Sequence, residues 1–223
     1  MKTQRDITHS HYWADWDLSI APNIMRRDTR LYWQPQISGT VGKCAGTFIG
    51  ENPGGAQSVF GLQFSGYSPL EHQQIPGDPT LRLLFRVWQE AATLRLIAPA
   101  PDDYIEILNT YYFRNPKSAG ALTAWRLSGG KNLYFPVPSG SGKFIVLGWG
   151  VKHNTSAEAV GFVPHLRCFD RILIPTSTGR VVVLTGAALT QPVAPPPVSP
   201  SAILMKSVKL KPSYVANLAA QLR

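Results

Sequence analysis

Short apolar segments alternate with stretches of helical periodicity along most of the chain. Four apolar segments are predicted as buried strands: Cys44–Ile49, Tyr104–Leu108, Phe144–Leu147 and Val181–Leu184. Apolar residues at helical spacing predict helices over Pro79–Thr93, from about Pro164 to Leu173, and from Pro212 onward. Strands that alternate with helices favour right-handed crossovers. The pattern therefore predicts an α/β fold, a three-layer sandwich with a central, mostly parallel four-stranded sheet.

The two ends of the chain differ from its middle. Residues 1–40 are rich in Trp and Tyr, and they predict an N-terminal arm that packs on the core. Residues 41–223 predict a single α/β domain with a Pro-rich connection at 185–200. A chain of 223 residues is long enough to bury a core without disulfides, so we expect one domain.

Composition excludes several classes of protein. Apolar residues make up 44% and charged residues 16%, which excludes a disordered or coiled-coil chain. No stretch approaches the ~18 apolar residues of a membrane helix, and the first residues lack the apolar region of a secretory signal. Two cysteines, Cys44 and Cys168, are too few for a zinc site. We expect an intracellular, cytoplasmic monomer with no metal, no cofactor and no membrane partner.

Positive charge is concentrated in the second half of the chain. Residues 1–110 hold 9 Lys and Arg against 11 Asp and Glu, whereas residues 111–223 hold 13 against 2. Such an asymmetry is typical of a surface that meets a polyanion such as nucleic acid. A basic surface that only maintains solubility is the alternative.

Ligands of parallel α/β sheets bind at the carboxyl ends of the strands, so the motifs at those ends are the candidates for chemistry. They are Gly-Glu-Asn-Pro-Gly-Gly at 50–55, Gly-Leu-Gln-Phe-Ser at 61–65, Ile-Leu-Asn-Thr at 107–110 and Leu-Gly-Trp-Gly at 147–150. Glycines permit a ligand to approach the backbone closely, and an Asn amide both donates and accepts hydrogen bonds.

Taken in this order, the motifs resemble those of the uracil-DNA glycosylase superfamily over residues 44–150. In that superfamily a G-Q-D-P or G-I-N-P-G turn follows the first strand, and a G-L-x-F-S-like segment carries a Phe that stacks on the base. An L-N-T sequence ends the second strand with a base-reading Asn, and an L-W-G sequence closes the third. The turn at 50–55 is most similar to the mismatch-specific branches, which have Asn in place of the water-activating Asp.

The resemblance implies a role for each matched residue. Asn52 would position the attacking water, with Glu51 as an alternative general base. Phe64 would stack on the flipped base, and Asn109 would bind its amide edge. The turn residues that would line the substrate are Gly50, Pro53 and Gly54.

The final motif departs from the superfamily pattern. An H-P-S, N-P-S or M-P-S sequence is expected after the fourth strand, where it contacts the DNA backbone and in some branches supplies a His. The chain offers Ser199-Pro200-Ser201 or Pro175-Thr176-Ser177-Thr178, and neither contains His. Ser199 and Ser201 are preferred because they follow the predicted strand Val181–Leu184. Without the His and with Asn52 in place of Asp, slow catalysis is expected.

The basic residues after the second and third predicted strands would contact the DNA phosphates: Arg114, Lys117, Arg126, Lys131, Lys143 and Lys152. Two functions remain open. One is a monofunctional DNA glycosylase that flips and excises a deaminated or modified base. The other is a glycosylase-like module that binds a nucleobase, nucleotide or modified DNA without cleaving it. A small-molecule enzyme with the same type of fold is a further alternative.

Overall fold

The structure is a computed structural model. Its described strands form one mixed sheet. The described residues are 10–17, 24–50, 70–77, 79–109, 112–115, 117–129, 144–148, 165–166, 169–175, 181–185 and 212–222. Their strands are β1 (Ser10–Asp17), β2 (Met25–Gln36), β3 (Cys44–Gly50), β4 (Leu70–Gln74), β5 (Tyr104–Asn109), β6 (Ile145–Gly148), β7 (Ile172–Pro175) and β8 (Val181–Leu184). Their helices are α1 (Pro79–Thr93), α2 (Ser118–Leu127) and α3 (Pro212–Ala219).

The sheet has a parallel centre and antiparallel margins. Its strand order is β4-β1-β2-β5-β3-β6-β7-β8. The pairs β5–β3, β3–β6 and β6–β7 are parallel, whereas β4–β1, β1–β2, β2–β5 and β7–β8 are antiparallel. The prediction of an α/β fold is confirmed. The prediction of a mostly parallel sheet of four strands is wrong in its extent, because the described sheet is mixed and has eight strands.

Two of the four additional strands come from the residues predicted as an N-terminal arm. β1 pairs with β2, and β2 continues the sheet by pairing with β5, where Thr29 lies opposite Ile107. The charged residues of β2 (sequence M-R-R-D-T-R-L-Y-W-Q-P-Q) obscure the alternation by which a strand is predicted. Asp28, with a φ of 46°, also interrupts that alternation.

The fourth parallel strand is not the one that the sequence predicted. The pattern predicts a helix from about Pro164 to Leu173, but Ile172 and Leu173 belong to strand β7, and the described helical residues of this range are 165–166. Short apolar runs do not distinguish a buried strand from a helix by periodicity alone. The predicted strand Val181–Leu184 is present as β8, but it pairs antiparallel with β7 at the margin of the described sheet.

The two faces of the sheet carry different apolar clusters. On one face Phe48 and Ile107 pack with Trp88 of α1 and Leu218 of α3. The periodicity of Pro79–Thr93 is confirmed as helix α1. On the other face lie Ile49, Leu108, Leu147, Leu166, Phe169 and Ile172. No helix in the described part of the chain is long and apolar enough to cross a membrane.

Reciprocal contacts between glycine and phenylalanine fix β3 against β6. A Cβ added to Gly148 of β6 would overlap the ring of Phe48 and lie 3.1 Å from the carbonyl oxygen of Ile49. A Cβ added to Gly46 of β3 would likewise overlap the ring of Phe144, which directly precedes β6. Both rings are buried, so neither can move into solvent.

Gly148→Ala should lower the free energy of unfolding by about 1–3 kcal/mol, the usual cost of overpacking a core. Urea denaturation measures the loss. Adding Phe48→Leu makes room for the new methyl group, so the double variant should lose less stability than the two single losses added together. Additive losses would show that the Phe48 ring does not restrict Gly148.

Candidate functional site

The strands β3, β5 and β6 end side by side at one edge of the sheet. Gly50, the last residue of β3, pairs with Asn109 of β5 on one side and with Gly148 of β6 on the other. Of these three strands β3 comes first along the chain, and β5 and β6 pair with its two opposite sides. This change of direction is a topological switch point, and α/β sheets bind ligands in the crevice outside the strand ends there.

A side chain at position 50 would be crowded by its neighbours. A Cβ at this position would lie 3.1 Å from Oδ1 of Asn109 and 3.2 Å from Cε1 of Phe48. Glycine at this position therefore brings the buried backbone of β3 close to the Asn109 amide.

The Asn109 side chain is buried and incompletely hydrogen-bonded. The residue is 3% exposed, and its backbone N–H donates to the hydroxyl oxygen of Tyr112 at 3.2 Å. Its Nδ2 atom is buried, and the described residues offer it no hydrogen-bond partner. A donor left in this state costs about 1–3 kcal/mol. Because native structures satisfy nearly all such groups, the amide is a candidate ligand contact.

Another buried polar residue of β5, Glu106, does have a hydrogen-bond partner. Thr47 of β3 lies opposite Glu106 of β5, and its hydroxyl donates to Glu106 Oε2 at 3.2 Å. Alternation along β5 directs Glu106 and Asn109 to opposite faces of the sheet. On one face of β5, Glu106 has a hydrogen-bond partner. On the other face, the buried Nδ2 donor of Asn109 has none among the described residues.

Further buried polar groups lie on β1 and β2, next to the end of β5. Trp16 and Thr29 are fully buried, and Arg26 is only 2% exposed. Trp16 Nε1 and Thr29 Oγ1 have no hydrogen-bond partner among the described residues. The sequence analysis missed all three residues. The sequence places Arg26 close to the aromatic residues of β2. A charged residue in such a position is not by itself evidence that its side chain is buried.

The structure describes only some of the predicted site residues. It brings Gly50 and Asn109 together at the strand ends. Arg114 follows β5, and its backbone N–H donates to the carbonyl of Ile24 at 2.7 Å, while exposed Lys117 directly precedes α2. The predicted site residues that lie outside the described residues are Glu51, Asn52, Pro53, Gly54, Phe64, Lys152, Ser199 and Ser201.

The order of the strands in the sheet bears on which segment corresponds to the final motif, Ser199–Ser201 or Pro175–Thr178. Ser199–Ser201 was preferred because it follows Val181–Leu184, which was taken as the fourth strand of the parallel sheet. That strand is the antiparallel β8, and the fourth parallel strand is β7, which ends at Pro175. The alternative segment, Pro175–Thr178, therefore begins at the carboxyl end of the fourth parallel strand. Its residues 176–178 lie outside the described residues.

Within the described ranges, no group of three or more His, Cys, Asp and Glu side chains is placed to hold a metal ion. The Cys44 thiol donates a hydrogen bond to the carbonyl oxygen of Gly46 at 3.2 Å. No protein-family model, curated protein or solved structure matches the chain. The arrangement at the strand ends is therefore the basis for the function proposed below.

Asn109→Leu should raise the free energy of unfolding by about 1 kcal/mol, because it replaces an unsatisfied buried amide with an apolar side chain of similar size. Chemical denaturation measures the change. Thr47→Val is the matched control. It removes a hydroxyl that does have a partner, Glu106, and should lower stability. A loss of stability in Asn109→Leu equal to that in Thr47→Val would show that the Asn109 amide is satisfied within the protein.

Proposed function

We propose that the chain is a DNA glycosylase-like protein that accepts a flipped base at the carboxyl edge of β3, β5 and β6 and hydrolyses its N-glycosidic bond. The base would be a deaminated or otherwise modified one. The observation that carries the proposal is the buried Asn109 amide, whose Nδ2 lacks a partner among the described residues, beside the bare backbone of Gly50. A pyrimidine presents a carbonyl acceptor next to a ring N–H donor, and one Asn amide complements both.

The central strands support the finer fold proposal, a three-layer sandwich around a parallel sheet. The parallel strands lie in the spatial order β5-β3-β6-β7, which is second, first, third and fourth along the chain. This order has its switch point between β3 and β6, and Asn109 lies one strand away, on the other side of Gly50. β1, β2, β4 and β8 would then be additions to that parallel centre.

Hydrolysis requires the base to leave the helical stack and a water molecule to reach the sugar carbon. Asn52 follows Gly50 by two residues and would orient this water. Phe64 would stack on the base, a contact worth about 1–3 kcal/mol in single-strand binding proteins. Because an amide does not take a proton from water as a carboxylate does, the reaction would be slow and depend on the lability of the altered base. Glu51 is the alternative base.

The segment after β5 would contact the DNA backbone. Arg114 and Lys117 both follow the carboxyl end of β5, so they lie on the chain directly after the Asn109 site. Contacts from such residues to phosphates give affinity without sequence preference, and they weaken as salt rises.

A second candidate function is a glycosylase-like module that binds a base, nucleotide or modified DNA without cleaving it. It is favoured by the absence of His from both candidate final motifs and by Asn52 in the position of the catalytic Asp. The Asn109 site would serve either function, since it concerns recognition of the base and not attack on the sugar.

Base release tests the proposal directly. The full chain is incubated with oligonucleotides that carry uracil, hypoxanthine, xanthine or modified pyrimidines, and abasic sites are detected by alkaline cleavage. Asn52→Ala should abolish release but leave DNA binding nearly intact, because Asn52 acts on water only in the transition state. Asn109→Ala should weaken both release and binding of the flipped base.

Each outcome of this experiment decides between the alternatives. Faster release of uracil by Asn52→Asp would show that the turn lacks a general base. No release from any substrate, together with binding that depends on Asn109, would establish the module that does not cleave. Neither release nor binding would overturn both functions.

Replacing Arg114 and Lys117 together with Ala should weaken DNA binding and reduce its dependence on salt by about one unit of slope per lost phosphate contact. Fluorescence anisotropy at several salt concentrations measures both quantities. Arg86 and Arg95, which are exposed on or just after α1, provide a control with the same loss of charge. An equal effect in the control pair would show that binding follows net charge alone.

A further inference from the structure

The buried Arg26 shares a sheet face with Asn109. Alternation along β5 directs Asn109 to the same face as Ile107, which packs in one apolar cluster with Trp16 of β1. Trp16 lies directly opposite Arg26 in the β1–β2 pair, and residues opposite each other direct their side chains to the same face.

The register also brings Arg26 to the same end of the sheet as Asn109. Because β2 is antiparallel to β5, the first residues of β2 lie beside the last residues of β5. Thr29 lies opposite Ile107, two residues before Asn109, and Arg26 is three residues further toward the edge. Tyr112 connects the two sides. Its carbonyl accepts from the Arg26 backbone N–H at 2.9 Å, and its hydroxyl accepts from the Asn109 backbone N–H at 3.2 Å.

Several charged residues of β1 and β2 close to Arg26 belong to the other face of the sheet. Asp15, Asp17 and Arg27 alternate with Trp16 and Arg26, and Arg27 forms an ion pair with Asp17 at 3.4 Å. Glu106 of β5 also lies on the opposite face from Asn109 and accepts from Thr47. The face that carries Asn109 holds the Arg26 guanidinium together with the uncharged polar groups of Trp16 and Thr29.

We infer that the Asn109 site is built for a ligand that carries a negative charge, and that Arg26 is the counter-charge. This inference rests on the proposed function, because it names the chemistry of the ligand at the same site. A guanidinium has five N–H donors, so it binds protein groups and a ligand oxygen at the same time. Its charge acts strongly there because the side chain is shielded from water.

The inference supplies a group that the proposed reaction needs. When the N-glycosidic bond breaks, its electron pair stays on the ring nitrogen and the base leaves as an anion. The oxygen of water bonds to the sugar carbon, and the proton that water loses passes to solvent or to the departing base. Arg26 would stabilise the anionic base, the task for which some branches of the superfamily use the His that this chain lacks. A phosphate of a bound nucleotide is the other source of negative charge.

Equilibrium binding of free ligands to the full chain distinguishes these cases. The first pair of probes is neutral and ionised 5-fluorouracil, compared at pH values below and above its ring ionisation. The second pair is deoxyuridine and its 5′-monophosphate. We expect the wild type to bind the anionic form about 10- to 100-fold more tightly, the range of a charged hydrogen bond. Tighter binding of ionised than of neutral 5-fluorouracil would show that the site recognises a negative charge on the base. Tighter binding of the monophosphate than of deoxyuridine would show that it recognises a phosphate.

Three variants are compared with the wild type at each pH. Because the other ionisable groups of the protein are the same in all of them, their contribution to the change in affinity cancels. Arg26→Gln should remove the preference for the anion, Arg26→Lys should retain part of it, and Arg27→Gln, on the opposite face, should leave it unchanged. Circular dichroism establishes that each variant folds. If Arg26→Gln does not fold, the wild type and Arg26→Lys decide the outcome through their preference for the anionic form.

The inference and the proposed function fail in different ways. Equal affinity for neutral and anionic probes, or a preference that Arg26→Gln leaves unchanged, would overturn the inference. If binding still depended on Asn109 in that case, the proposed function would stand. No binding of any free probe would overturn the inference alone, because base release from DNA decides the proposed function separately.

Discussion

The site depends on the close approach of the parallel strands β3, β5 and β6. Gly50 is held in register between Asn109 and Gly148, and the Phe48 ring fills the space that side chains at the two glycines would occupy. This packing leaves the Asn109 amide against bare backbone at the strand ends. A shift of one residue in the register of β5 would direct Asn109 to the opposite face, where Glu106 and Thr47 already form a satisfied contact.

Buried polar groups in this sheet therefore fall into two classes. The Thr47–Glu106 contact stabilises the pairing of β3 and β5 and needs no ligand. Asn109, Thr29 and Trp16 each keep a buried polar atom without a partner among the described residues, and each such atom lowers the stability of the fold. A protein tolerates that cost where the same groups bind a ligand, which is the reason for proposing that Asn109 contacts one.

Electrostatics acts at two levels in this chain. The excess of basic residues after residue 110 would attract polyanions over a long range, and salt would weaken this attraction. Arg26 belongs to the first half of the chain, whose residues carry slightly more acidic than basic groups, and the effect proposed for it would come from burial instead of from number. The two proposals therefore depend on different properties, the total charge for the partner and the position of one guanidinium for the ligand.

The sequence alone determined the α/β class, helix α1 and the cores of β3, β5, β6 and β8, because periodicity and apolar runs are local properties. The resemblance of the motif at the end of β5 also made Asn109 a candidate site residue, which stays a prediction. Tertiary structure decided what depends on pairing between distant segments. It made Ser10–Asp17 and Met25–Gln36 part of the sheet, made β7 the fourth parallel strand in place of β8, and buried Arg26 beside the end of β5. Strand order and side-chain burial arise from contacts that no local pattern contains.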